Sequence, residues 1–213
     1  MPISPEHLPA VLIGLLVGAY WARVIKLVLK AKRHTGRGAG IVPTERVGRA
    51  LRIIWYPAVV LWAVYPLSLP WLGALPSVVH PLTFPLVVSW AALLVALAAF
   101  VATLFCWKRM GKSWRMGIDP NEKTRLVLSG PYAYVRHPIY ALSSLLMLMT
   151  LVIVPGLPML VLACIHITLI QWEASREERY LISLHGDAYA RYRSAVGRMI
   201  PRSLTPYVEP SSH

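Results

Sequence analysis

The chain has 213 residues, of which 56% are apolar and only 15% charged, with a formal charge of +13. That leaves more apolar surface than one soluble globule can hide, and lipid is the natural solvent for the excess. A basic balance of this size raises nucleic acid as a partner. The 22 Lys and Arg, however, sit between hydrophobic runs rather than interleaving with aromatics along a stripe, so a nucleic-acid binder is not expected.

Taken in chain order, five stretches are apolar enough to be membrane spans. The first runs from Leu8 to about Leu29, with Arg23 and Lys26 near its end where they can snorkel. Glu6 and the lack of a basic leader argue against a cleaved signal peptide. The second runs from about Ile53 to Leu72 and carries Trp55, Trp62 and Trp71, residues suited to membrane interfaces. The third, Phe84 to Trp107, meets no charge until Lys108. The fourth and fifth, Ile139 to Val154 and Leu157 to Trp172, are short and are separated by Pro155-Gly156-Leu157-Pro158. That punctuation predicts a helical hairpin, because one uninterrupted helix of this length would overshoot a bilayer of about 30 Å. The expected fold is therefore an all-α integral membrane protein with about five transmembrane helices. Residues 1–107 form the first three, and residues 108–213 form a core of loop, hairpin and C-terminal helices.

Charge sets the expected orientation. Eight basic residues lie between Lys26 and Arg52, seven between Lys108 and Arg136, and six between Arg176 and Arg202, while Gly73 to Thr83 and the hairpin turn have none. The positive-inside rule puts the N-terminus outside and the C-terminus in the cytoplasm. No internal repeat is evident, which weakens a transporter reading. Pro206 to His213 is short and polar and is expected to fray. Cys106 and Cys164 lie inside apolar runs with no Cys/His cluster, so neither a disulfide framework nor a metal site is expected.

Two segments on the basic side flank the hairpin. One starts at Gly111-Lys112-Ser113-Trp114 and ends in Gly130-Pro131-Tyr132-Ala133-Tyr134-Val135-Arg136-His137-Pro138-Ile139-Tyr140. Its Gly and Pro content predicts an ordered loop leading into the fourth span. The other, from Gln171 to Pro201, reads as a helix leaving the membrane, with Glu173, Glu177, Tyr180, Leu181 and Leu184 on one side. His185-Gly186-Asp187 marks a stop and restart, and a shorter helix then carries Tyr189, Tyr192 and Arg193. An antiparallel hairpin returns Glu177 and Glu178 to the face where Arg136 and His137 stand. Each residue also has a plain role: Arg136 as a positive-inside anchor, the glutamates as solvated helix charges, the tyrosines as an interfacial belt. The joint arrangement is what points to a site.

Val135-Arg136-His137-Pro138-Ile139-Tyr140, coupled across a hairpin to Glu177-Glu178-x-x-Leu181, His185-Gly186, Tyr189, Tyr192 and Pro201, resembles the isoprenylcysteine carboxyl methyltransferase family and its prokaryotic relatives. The resemblance spans about residues 108 to 202. It implies a methyl donor, S-adenosyl-L-methionine, with Tyr134, Val135, His137, Pro138, Tyr140, Glu177 and Glu178 around it. Arg136, Glu178, Tyr192 and Arg193 are its candidates for a part in the transfer, and Arg193 or Arg198 is a candidate for orienting an acceptor carboxylate. A sulfonium, an ammonium and a ribose diol suit carboxylates and tyrosine faces, and no Gly-rich βα turn of a Rossmann site is present. The Trp114-Arg115-Met116-Gly117-Ile118 stretch looks like that of bacterial relatives, which implies a multi-pass protein of the bacterial inner membrane. The acceptor is expected to be a lipophilic small molecule or lipidated group bearing a carboxylate. A phospholipid-type N-methyltransferase, a membrane reductase sharing this core, and a non-enzymatic scaffold or transporter are the alternatives.

Overall fold

A computed structural model describes residues 4–35, 46–72, 84–111, 114 and 126–209. Residues 36–45, 73–83 and 115–125, on which part of the charge argument and most of the Trp114–Ile118 stretch rest, lie outside the described residues. Five helices follow in order: α1 (Leu8–Thr35), α2 (Arg46–Leu72), α3 (Leu86–Met110), α4 (Pro138–Ile153) and α5 (Leu157–Ala195). No strand occurs among the described residues, only a parallel bridge between Val135 and Gly197. The protein is an all-α membrane protein, and α1, α2, α3 and α5 are each long and apolar enough to cross a bilayer.

The hairpin forms as expected, and its two arms are unequal. The 16 residues of α4 reach only about 24 Å at 1.5 Å per residue, short of a full hydrocarbon core. Helix α5 has 39 residues, roughly 58 Å at the same rise, so its second half must project past the membrane. Gly186 interrupts it, with φ 51° and ψ −128°. A side chain is strained at such an angle and glycine is not, so the turn foreseen at His185-Gly186-Asp187 becomes a kink rather than a loop.

The packing puts the site at one end of the bundle. Helix α3 lies chiefly along α4, α1 along α2, and α5 against α2 and α4. Ile13, Val17, Trp62, Ala96, Leu146 and Met159 fill the shared core, while Ile25, Ile53, Val87, Leu94 and Phe105 stay exposed on the outer surface. An outward apolar surface of that kind fits lipid. Helix α2 keeps Pro57, Pro66 and Pro70 inside its span; neighbouring helices in a bundle can tolerate such breaks. The basic ends of α1, α2 and α3 gather where α4 begins and where α5 leaves the bundle.

Residues 206–209 differ from the expected fraying, and 210–213 lie outside the described residues. The Tyr207 amide donates to the Ala133 carbonyl at 2.9 Å, and its ring packs 5.3 Å from that of Tyr192. Residues 206–209 are therefore docked, because the tyrosine finds a buried aromatic neighbour that local polarity does not foretell.

Candidate active site

The segment before α4 is an ordered loop, as its Gly and Pro content predicts, pinned by one parallel bridge. A 3-10 turn at Gly130–Ala133 leads into it. The Arg136 and His137 amides then donate to the carbonyls of Gly197 (2.8 Å) and Arg198 (2.9 Å). Gly197 fits because a Cβ there would lie 1.9 Å from the Ile200 carbonyl oxygen, closer than any side chain can come. The tight turn after α5 thus clamps the two residues whose side chains enter the site.

Glu178 is the electrostatic centre. Arg136 donates to its Oε1 from Nε (3.1 Å) and Nη2 (2.9 Å). Arg198 donates to Oε1 from Nε (3.0 Å) and to Oε2 from Nη2 (2.9 Å). Arg193 stands 3.6 Å away, half exposed. Arg136 also donates to the carbonyls of Arg193 and Val196. Burial pushes the Glu178 carboxyl up, but contacts from His137, Arg198 and Arg136 outweigh it and hold the group well below the usual carboxylate range. Glu178 is thereby saturated as an acceptor and fixed as an anion.

Glu177, one residue earlier, has a different environment. It accepts from the Tyr140 hydroxyl at 3.2 Å, lies 3.6 Å from His137 Nδ1, and its side chain keeps 34% of its exposure. The His137 and Tyr140 rings stack with centroids 5.4 Å apart. One helix position turns a side chain by about 100°, so adjacent glutamates divide between an internal ion cluster and an open cavity.

That cavity encloses about 480 Å³ and is lined by Tyr132, Arg136, His137, Glu177, Tyr189 and Tyr192, among others. The Tyr132 and Tyr189 hydroxyls and His137 Nε2 are buried without a hydrogen-bond partner among the described residues. His137 Nε2 comes within 3.3 Å of Glu178 Oε1, but the approach is not aligned for a hydrogen bond. Burial raises both tyrosine hydroxyls above their ordinary range, so they remain neutral donors. Buried polar atoms left unpaired are costly, and three around one cavity suit a polar ligand. Tyr192 spends its hydroxyl on the Tyr132 carbonyl at 2.6 Å and contributes its ring.

A neighbouring space of about 340 Å³ shares Met110, Tyr132, Arg136, His137 and Glu177 with this cavity and adds Trp114, Pro138 and Tyr140. Beyond it, between α1, α2, α3, α4 and α5, lies an aromatic chamber of about 510 Å³ walled by Tyr20, Trp21, Trp55, Trp107, Trp114 and Tyr140. Trp114, Ile139 and Tyr140 line both, so the three spaces adjoin through shared walls. In the chamber the indole N–H groups of Trp21 and Trp107 are buried and without partners among the described residues. Its carboxylate, Glu173, is engaged on both oxygens, by Arg52 at 2.8 Å and Arg176 at 2.9 Å. On the α4 side the Trp55 indole donates to His166 Nδ1 at 3.3 Å, so the neutral ring carries its proton on Nε2 and donates to Ser143 Oγ at 3.0 Å.

The residues singled out from sequence thus divide. Arg136, His137, Glu177 and Tyr192 line the first cavity, and Pro138 and Tyr140 the second. Glu178 stands behind them, and Arg193 touches it from the surface. Tyr134 and Val135 face away, into a separate apolar groove beside Phe105 and Met199, because the bridge at Val135 turns that part of the segment outward. Arg52, Glu173, Ser143, His166 and the indoles of Trp21 and Trp107 were not singled out as site residues. The available signal was an arginine three residues before Trp55 and a histidine inside the fifth span, since ionisable groups at membrane depth mark function by default.

Residues 90–183 match the family model of the isoprenylcysteine carboxyl methyltransferase (ICMT) family. Over that segment, which is less than half of the chain, the sequence is similar to the family. The match runs from α3 through the hairpin and past Glu177 and Glu178; α1, α2 and the turn at Gly197 fall outside it. No curated protein matches the chain. The similarity is thus to a family of methyltransferases, in a chain with four helices long and apolar enough to cross a bilayer among the described residues.

Proposed function

We propose that the chain transfers a methyl group from S-adenosyl-L-methionine to a carboxylate on a lipophilic acceptor, at the cytoplasmic face of the membrane. The observation that carries this reading is that a polar cavity adjoins an aromatic chamber inside the bundle. The donor supplies a methyl carbon made electrophilic by its sulfonium. The cavity residues fit such a group: Glu177 offers a carboxylate with open capacity to an ammonium or a ribose diol. The Tyr132 and Tyr189 hydroxyls supply unpaired donors, and the tyrosine rings offer faces to a cation. Glu178, already satisfied by Arg136 and Arg198, is a positioning residue that holds the Arg136-His137 segment against α5.

The chamber suits the acceptor. The polar groups of its wall without partners among the described residues are the Trp21 and Trp107 N–H donors, and its carboxylate is neutralised by two arginines, so it favours acceptor oxygens over an amine. A carboxyl with a pKa of about 3.5 is ionised at neutral pH and needs no base. The residues' work is then orientation and exclusion of water. The basic loops place the C-terminal half of α5 in the cytoplasm by the positive-inside rule.

Calorimetry of detergent-purified protein with S-adenosyl-L-methionine and S-adenosylhomocysteine tests the donor. Binding that weakens in Glu177→Gln and Tyr189→Phe is expected, and no binding at millimolar ligand to folded protein refutes it. Labelled methyl should then enter S-farnesylcysteine and not phosphatidylethanolamine; the reverse would sink the carboxylate assignment.

A further inference from the structure

The segment after α5 is apolar where solvent would favour polar residues. Ile200, Leu204 and Val208 are 78%, 90% and 78% exposed, and they recur every four residues in a stretch that Pro201 and Pro206 keep out of a helix. Single exposed apolar residues are ordinary, whereas a row of them marks an interaction surface. The row is not loose. Met199 accepts from Gln171 Nε2 at 3.3 Å, Arg202 donates to the Ser194 carbonyl at 2.7 Å, and the Tyr207 amide is tied to Ala133. Fastened at both ends, the strap turns Ile200 and Leu204 outward.

Its height on the molecule says what it meets. Met199 lies in an apolar groove with Ala102, Phe105, Ala141 and Leu142, the outward surfaces of α3 and α4. Phe105 is 63% exposed there, and Lys108 and Arg109 follow within one turn, so the groove lies where the bundle leaves the hydrocarbon. Ile200 comes next in the chain. Arg191, Arg193 and Arg202 stand nearby at the surface, and the strap itself carries no acidic residue before Glu209. Apolar side chains beside arginines at that depth are the composition of an interfacial anchor on anionic lipid.

We propose that Arg198–Val208 lies along the anionic headgroups of the leaflet at the basic end, with Ile200 and Leu204 among the acyl chains. Because Gly197 and Arg198 hold the Arg136 and His137 amides, seating the strap also steadies that segment of the donor cavity. This reading requires no methyl transfer, so it stands or falls independently of the proposed activity.

The test places a nitroxide at Leu204→Cys in a Cys164→Ser background, in nanodiscs of phosphatidylcholine with and without phosphatidylglycerol. Asp187→Cys, at the kink beyond the bilayer, is the aqueous control. The Leu204 label should be relaxed by dissolved oxygen more than by a water-soluble nickel chelate, more so with phosphatidylglycerol, and the Asp187 label should show the opposite. A Leu204 label as open to nickel as the control overturns the proposal, and one shielded from both reagents overturns it in favour of a protein partner. Equal accessibility with and without phosphatidylglycerol overturns the anionic-lipid assignment. Amide exchange over residues 135–138, slower with phosphatidylglycerol, reads the coupling to the donor segment.

Discussion

Replacing Glu178 with alanine removes the carboxylate on which Arg136, Arg198 and Arg193 converge. The pair most affected is Arg136–Glu178, with side chains only 5% and 3% exposed. Breaking a buried pair by deleting one partner costs about 3–5 kcal/mol, because the survivor is left charged and dry. Arg136 retains the carbonyls of Arg193 and Val196, and Arg198 can turn its half-buried head to water. The lower bound, about 3 kcal/mol, is therefore expected. At ~2–4 °C per kcal/mol for a chain of this size, the midpoint falls by roughly 6–12 °C. Thermal unfolding followed by tryptophan fluorescence in detergent reads this directly. The double variant Arg136→Met with Glu178→Leu should recover much of the loss, since paired apolar replacement of a buried ion pair is often neutral. A Glu178→Ala midpoint within about 2 °C of wild type would refute the view that this cluster holds the site together.

Two further outcomes follow from the same geometry. Gly197→Ala should disrupt the turn that clamps Arg136 and His137, because its Cβ would meet the Ile200 carbonyl at 1.9 Å; two hydrogen bonds at ~0.5–1.5 kcal/mol each put the loss at about 1–3 kcal/mol. Gly18→Ala, where a Cβ has nothing within 4 Å, should be neutral or slightly stabilising in the same thermal assay, and equal losses at both sites would refute the clamp. Acid should act through Glu178. Its carboxyl is held below its ordinary 4.5, so its stabilisation is complete above that pH and is lost as the pH falls toward the lower folded value. The midpoint gap between wild type and Glu178→Gln, followed from pH 7 to 3, should narrow below pH 4.5, and a constant gap would show that Glu178 is not the group titrating.

The spans and the hairpin were legible because hydropathy and the Pro155–Pro158 punctuation act locally. The kink was legible for the same reason, glycine at position 186 being permitted an angle that its neighbours are not. The division between Glu177 and Glu178 was not legible. A one-residue step on a helix decides which glutamate faces an arginine 42 positions away, and the apolar stripe through Glu173 and Glu177 gave no hint that Glu178 is the buried one. Arg52 read as one more positive-inside charge, yet it pairs with Glu173 across 121 residues, a contact that only the packing of α2 on α5 creates. Tyr134 and Val135 were grouped with the motif by adjacency, while the bridge to Gly197 turns them to the opposite side.

The match over residues 90–183 therefore bears unequally on the two parts of the site. Most residues lining the first cavity, from Met110 to Leu181, lie inside the match, so the proposed donor site falls in the segment similar to that family. The chamber takes Tyr20, Trp21 and Val24 from α1 and Trp55 from α2, which lie outside it. Of its two unpaired indole donors, Trp107 falls inside the matched segment and Trp21 outside. The chamber wall is thus shared between helices outside the match and the matched segment, which supplies Trp107, Trp114, Ile139, Tyr140, Ser143, Ile170 and Glu173. Under the proposed function, α1 and α2 can tune the acceptor while the matched segment stays unchanged. Acceptor identity is for that reason best sought by varying Trp21 and Trp55 rather than the Arg136-His137 segment, whose alteration would remove donor binding and choice together.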